Sequence, residues 1–158
     1  MKERMDDLVI ENARLIFKNF AGKGDRYNPE GSRNFCVVID DPELAEQLNA
    51  DGWNIKWTKP RDEDDEPMAY LPVKVQFGQF PPTVYLISGH TKTLLDEDSI
   101  NTLDYADIKN ADLIINPYQW TMNGAVGVKA YLKTAYITIE EDRFAHKYDF
   151  SEDEVPFN

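Results

Sequence analysis

Apolar positions recur at every second residue along most of this chain, a period that predicts strands rather than helices. Residues 8–20 read as one long first strand. Leu8, Ile10 and Ile16 are set against Val9, Ala13, Leu15 and Phe17, so both faces are partly apolar, as in a curled sheet. A glycine-rich connection over 21–33, with turn chemistry at Asn28-Pro29, leads into a second strand over 34–39, which predicts a hairpin. Phe17 and Phe35 are expected in its core. Residues 70–77 alternate cleanly, with Leu71, Val73, Val75 and Phe77 inward and Tyr70, Lys74 and Gln76 outward. Residues 84–87 form another short strand that stops at Ser88-Gly89.

Two segments depart from this period. Asp41-Pro42-Glu43 is a helix start: an Asp cap, Pro in the first turn and Glu at the positive end. Leu44 and Leu48 share a face, and Gly52 ends the helix before a short strand over 53–58. Residues 94–110 predict a short helix and loop held by Ile100 and Leu103. A second hairpin follows, 112–122 and 125–139, around Asn123-Gly124, the dipeptide best suited to a two-residue turn. In its second strand Val128, Ala130 and Leu132 lie opposite Lys129, Tyr131 and Lys133. By Ala135, Ile137 and Ile139 the apolar set has changed parity, which implies a bulge. The fold expected is all-β with minor helix: an OB-fold-like five-stranded barrel with extended hairpins and one or two short helices.

Composition changes this picture little until charge is partitioned. The 158 residues suit one domain with a tail, residues 1–147 and 148–158. No apolar run approaches the length of a membrane span, and the start shows no apolar secretory segment. Cys36 is the single cysteine, which excludes an internal disulfide and suits a reducing cytoplasm; inside an apolar run it reads as a buried, inert thiol. The net charge of −12 argues at first against nucleic acid. Much of it is local, in the run 62–66, read as a solvated loop, and in 148–158, which has four acids and no base. A cationic groove is compatible with the acidic total.

Enzyme chemistry has little support. His90 and His146 are far apart with no ligand-spaced partner, and Gly22-Lys23-Gly24 lacks the remainder of a phosphate loop, so no metal, cofactor or catalytic residue is expected. Binding chemistry is better represented. Single strands are held by cations that neutralise phosphate and by aromatic faces on which bases stack. Three stretches interleave the two: Phe17-Lys18-Asn19-Phe20 through Lys23, Arg26, Tyr27 and Arg33; Trp53, Lys56, Trp57, Lys59 and Arg61; and Tyr118 and Trp120 facing Lys129, Tyr131 and Lys133 across the second hairpin. In the last, alternation sets Tyr131 on the cationic face, away from Val128 and Leu132.

Asn116-Pro117-Tyr118-x-Trp120-x-x-Asn123-Gly124, then Gly127-x-Lys129-Ala130-Tyr131-Leu132-Lys133 and Ile139-Glu140-Glu141-Asp142, together with the opening hairpin, resemble bacteriophage single-stranded DNA-binding proteins. The resemblance implies an OB fold and sequence-independent binding of single-stranded DNA without catalysis. The final residues, Phe150, Glu152, Asp153, Glu154, Pro156 and Phe157, are similar to the acidic tip by which such proteins dock replication and recombination partners, although Asn158 follows the last aromatic here. The expected role is coating of single strands in phage replication or recombination, in the cytoplasm of a bacterial host, without membrane contact and compatible with homo-oligomerisation. The competing reading is an acidic DNA mimic or inhibitor that occupies a partner's nucleic-acid site.

Overall fold

The computed structural model describes residues 5–24, 26, 28–59 and 66–140. The chain forms β1 (Leu8–Ile10), β2 (Leu15–Asn19), β3 (Arg33–Ile39), α1 (Pro42–Ala50), β4 (Lys56–Trp57) and β5 (Ala69–Val75). Then come β6 (Thr83–Ser88), β7 (Thr91–Leu95), a 3-10 turn (Ile100–Asp104), β8 (Ile108–Met122) and β9 (Ala125–Ile139). The acids at 62–65, His146 and the whole of 148–158 lie outside the described residues, as does Tyr27.

The strands make one mixed sheet in the order β1-β8-β9-β5-β3-β2, with β4 on β5 and the β6–β7 hairpin docked on β9. Among the described residues no ladder closes it into the five-stranded barrel the pattern suggests, although the all-β, OB-like character holds. The first and last strands of that path are instead joined by the chain itself. At Asn12 the backbone turns left-handed (φ 55°), which divides the expected first strand into β1 and β2. Across this bend the Ala13 amide donates to the Ala111 carbonyl of β8 at 2.7 Å, while the Val38 amide of β3 donates to the Arg14 carbonyl at 2.9 Å. The curled sheet is spanned at that point by two hydrogen bonds rather than a ladder.

The inner face follows the alternation. Phe35, Val37, Leu71, Val73, Leu113, Ile115 and Ile137 are fully buried, and Phe20 stacks on Phe35 at 5.1 Å. Ile100 and Leu103 of the 3-10 turn are also buried in the core, the apolar contacts expected of them. Asp41 caps α1 by accepting from the Glu43 amide, and Gly52 leaves the helix with φ 105°. The helix buries Ala45 and Leu48, whereas Leu44 turns partly to solvent.

The β8–β9 hairpin turns at Asn123 and Gly124, both at positive φ (51° and 84°), the geometry a right-twisted hairpin demands. Ile114 pairs with Thr134 and Ile115 with Leu132, so Lys133 is the extra residue of the expected bulge. Its effect is to preserve a face. Odd positions of β9 point outward before Lys133 and even positions after it, so Ala130, Leu132, Ala135 and Ile137 all stay in the core.

Candidate nucleic-acid interface

Directly paired residues of neighbouring strands share a face. Register therefore assembles the outer surface of the sheet without reference to function. One row runs Asn19–Asn34–Lys74–Tyr131–Asn116 across β2, β3, β5, β9 and β8. Toward the hairpin turn, Tyr118 pairs with Lys129 and Trp120 with Gly127. In the other direction lie Cys36 opposite Pro72, then Val38 opposite Tyr70, which also pairs with Lys56 of β4.

Two aromatic groups bracket this face. At the hairpin, Tyr118 meets Tyr131 edge to face at 6.1 Å and is 56% exposed. The Trp120 indole lies across Gly127, where a Cβ would stand 2.5 Å from the ring; only glycine admits it. At the far end Phe17 meets Tyr70 edge to face at 5.6 Å. Phe17 is not a core residue, in contrast to Phe35: it is 64% exposed and has φ 51°, inside the register slip between Ile16 and Asn19. A bulky residue at positive φ is costly backbone, held only where surroundings fix it. Here the Lys18 ammonium supplies the hold, donating to the Leu103 and Ala106 carbonyls at 2.8 and 3.2 Å. With Lys18 drawn across the end of the sheet, Phe17 is turned outward.

Lys56, Lys74 and Lys129 stand exposed among these aromatics, and among the described residues no carboxylate forms an ion pair with any of them. Beside them Cys36 is half-buried rather than in the core; burial pushes its thiol up to about 11, against the opposing effect of Lys56. At the edge of the row a cleft of about 280 Å³ is lined by Arg33, Lys74, Phe77, Glu97 and Tyr131, among others. The Arg33 guanidinium lies over the Phe77 ring (5.6 Å), and its ion pair with Glu97 is long, 3.6 Å. Its buried Nε has no hydrogen-bond partner among the described residues.

Of the residues expected to bind, Tyr118, Trp120, Lys129, Tyr131 and Lys56 fall on this one face, with Arg33 at its edge. Trp53 does not. It is 4% exposed, packed in the core and bridged to Val128, and cannot offer a ring to a base without unfolding. Trp57 pairs with Ala69 and so faces away from Tyr70, half-exposed, with Lys59 exposed beyond it. Lys133 sits in the bulge with its ammonium on Asp7 at 2.8 Å, compensated rather than free for phosphate. Lys23 is engaged at the 3-10 turn, where hydrogen bonding to the Tyr105 hydroxyl raises its pKa, while Arg26 is exposed on the same loop. That loop is tied down by Asp104, whose carboxylate accepts from the Phe20 and Ala21 amides at 2.7 and 2.9 Å. Tyr27 and the tail residues 150–157 lie outside the described residues. Sequence reasoning missed Tyr70 and Lys74 as binding candidates, and assigned Phe17 to the core although it opens the first basic and aromatic stretch. For Tyr70 and Lys74 the signal was present, since both alternate outward on a strand otherwise apolar.

A family model for a phage ssDNA-binding domain matches residues 1–157. No curated protein matches the chain. Among solved structures, the single-stranded DNA-binding protein from bacteriophage Enc34 in complex with ssDNA aligns with a TM-score of 0.56 at 13% identity, covering 87% of this chain and 89% of that one. The same protein without the complex aligns with a TM-score of 0.52 at 14% identity, covering 94% and 86%. Its C-terminal truncation gives 0.51 at 12%, covering 86% and 87%. At such identities the likeness speaks for the fold.

Proposed function

The chain belongs to the phage ssDNA-binding domain family, and we propose that it binds single-stranded DNA without sequence preference on the outer face of β2, β3, β5, β9 and β8. The observation that carries this reading is the company kept by Lys56, Lys74 and Lys129. In a chain of net charge −12, three lysines that have no ion-pair partner among the described residues lie on one surface between Phe17 and Tyr70 at one end and Tyr131, Tyr118 and Trp120 at the other. Phosphates neutralise the lysines, and successive bases stack on the rings. Arg33, poorly satisfied in its cleft, is a further phosphate contact at the edge. No catalytic step belongs to this reading.

In the same proposal the protein coats single strands during phage replication or recombination in the infected cell. Residues 148–158 recruit a partner of that machinery through Phe150 and Phe157, with Glu152, Asp153, Glu154 and Pro156 between them. Carried on the same chain as a cationic face, such a peptide competes with DNA for it by Coulomb attraction.

The test is titration with poly-dT, followed by tryptophan fluorescence and by the salt dependence of affinity. Binding with emission quenched and a log–log salt slope of about −0.7 per phosphate contacted supports the reading. Absence of binding, with capture of a nucleic-acid enzyme instead, would identify the acidic mimic. For the tail, deleting 148–158 should tighten DNA binding at low salt and abolish partner capture; no change in either reduces it to a solubilising segment.

A further inference from the structure

Five residues beyond Tyr131, β9 carries a second aromatic group on its outer surface. Tyr136 pairs in register with Tyr85 of β6, and their rings stack at 5.2 Å with 23° between planes. Lys92 of β7 places its ammonium 4.2 Å from the Tyr85 centroid and 5.5 Å from that of Tyr136. Cross-strand aromatic pairs stabilise sheets, so stacking alone assigns nothing. Three observations go further. Tyr136 is 38% exposed, so the pair is not sealed beneath other side chains. Lys92 is exposed, and among the described residues no carboxylate forms an ion pair with it, in contrast to Arg33 and Lys133. Third, the Lys133 bulge restores parity, so that Tyr136 emerges on the same side of β9 as Lys129 and Tyr131. At the rise of a strand, with one residue absorbed by the bulge, the two groups lie about 13 Å apart.

We propose that Tyr85, Tyr136 and Lys92 form a second nucleobase-stacking platform, which takes the same DNA strand as it runs along β9 away from the hairpin. The proposal rests on the reading of the first face as a single-strand site. In the free protein the ammonium occupies the electron-rich ring face; an incoming base displaces it, and the lysine moves to the adjoining phosphate. Asp112 pairs with Tyr136 on the β8 side, and its carboxylate accepts from the Asn12 amide and the Asn110 side chain. A phosphate is repelled on that flank, so the strand passes on the Lys92 side.

Long dT oligonucleotides test this by titration. Tyr136→Leu should weaken binding by about 5-fold or more, the lower end of one lost stack, while Tyr136→Phe retains it. Lys92→Ala, a surface change that leaves both rings, should make the salt slope shallower by about 0.7. Wild-type affinity in the Leu variant with its thermal unfolding intact, or an unchanged slope in Lys92→Ala, overturns the platform while Tyr131→Leu still weakens binding. Should Tyr136→Leu fail to fold, Lys92→Ala decides alone. If the wild-type protein does not bind dT at all, the first site has failed and this one falls with it.

Discussion

Replacing Gly127 by alanine tests the hairpin end of the face with a single methyl group. The backbone there is not left-handed, so the substitution carries no φ penalty and acts only through space. That space is taken: the new Cβ would stand 2.5, 2.6 and 2.8 Å from three atoms of the Trp120 indole. Ordinary contact begins near 3.5 Å, so the ring must move by about 1 Å or rotate away. Overpacking in a core costs about 1–3 kcal/mol, but Trp120 is on the outer face and only partly buried. The loss of stability should therefore lie at the low end, about 1 kcal/mol, seen as a small fall in the urea midpoint. DNA binding should suffer more. Displacing one stacking ring costs about 1–3 kcal/mol, or roughly 5- to 150-fold in affinity. Poly-dT titration under tryptophan emission reads both quantities, because Trp53 is sealed in the core and Trp57 faces away from Tyr70. Quenching should shrink together with affinity. If Gly127→Ala binds and quenches as wild type does, Trp120 is not a stacking residue and the hairpin end of the face is misassigned.

The remaining predictions follow from the same geometry. Charge reversal at Lys74 or Lys129 should weaken binding to all sequences alike and make the salt slope shallower, whereas Lys133→Ala, already compensated by Asp7, should change the slope little. Asp104→Ala removes the acceptor of two amides and should cost about 2 kcal/mol by urea unfolding, freeing the loop that carries Lys23 and Arg26. Burial raises the Cys36 thiol from 9.0 to about 11, so a thiol reagent at pH 8 should react more slowly with the folded than with the unfolded protein. The linked stability is fully present below pH 9 and is lost as pH rises toward 11, because only the unfolded chain ionises readily in that window.

What the sequence disclosed was local. Asn123-Gly124, the Asp41 cap and the parity change along β9 each depend on residues a few positions apart, and each is present in the structure. The hairpin half of the proposed face, Tyr118, Lys129 and Tyr131, could be grouped for the same reason. Its other half could not, because Lys74 reaches Tyr131 through a parallel pairing between distant segments. Phe17 was misread as core since its outward turn depends on Lys18 finding carbonyls at 103 and 106, far along the chain. Trp53 failed in the opposite sense. The chain leaving α1 runs alongside β9, where Trp53 bridges Val128, and composition alone cannot distinguish a ring so buried from one on display. The short strand β7, with four of its five residues exposed, lacked the apolar alternation by which the others were found, and Lys92 was overlooked with it.

The bend at Asn12 also governs the order of assembly during synthesis. β1 is made before β8, yet among the described residues its one ladder is with β8, where Leu8 meets Ile115. Closing a loop of about a hundred residues costs more entropy than turning the two-residue hairpin of β8 and β9. The nascent chain therefore carries Leu8 and Ile10 unpaired until β8 has been made, and β1 docks as the last strand rather than the first. Through that interval Leu8 and Ile10, which pack against the core once β1 is docked, remain uncovered apolar side chains.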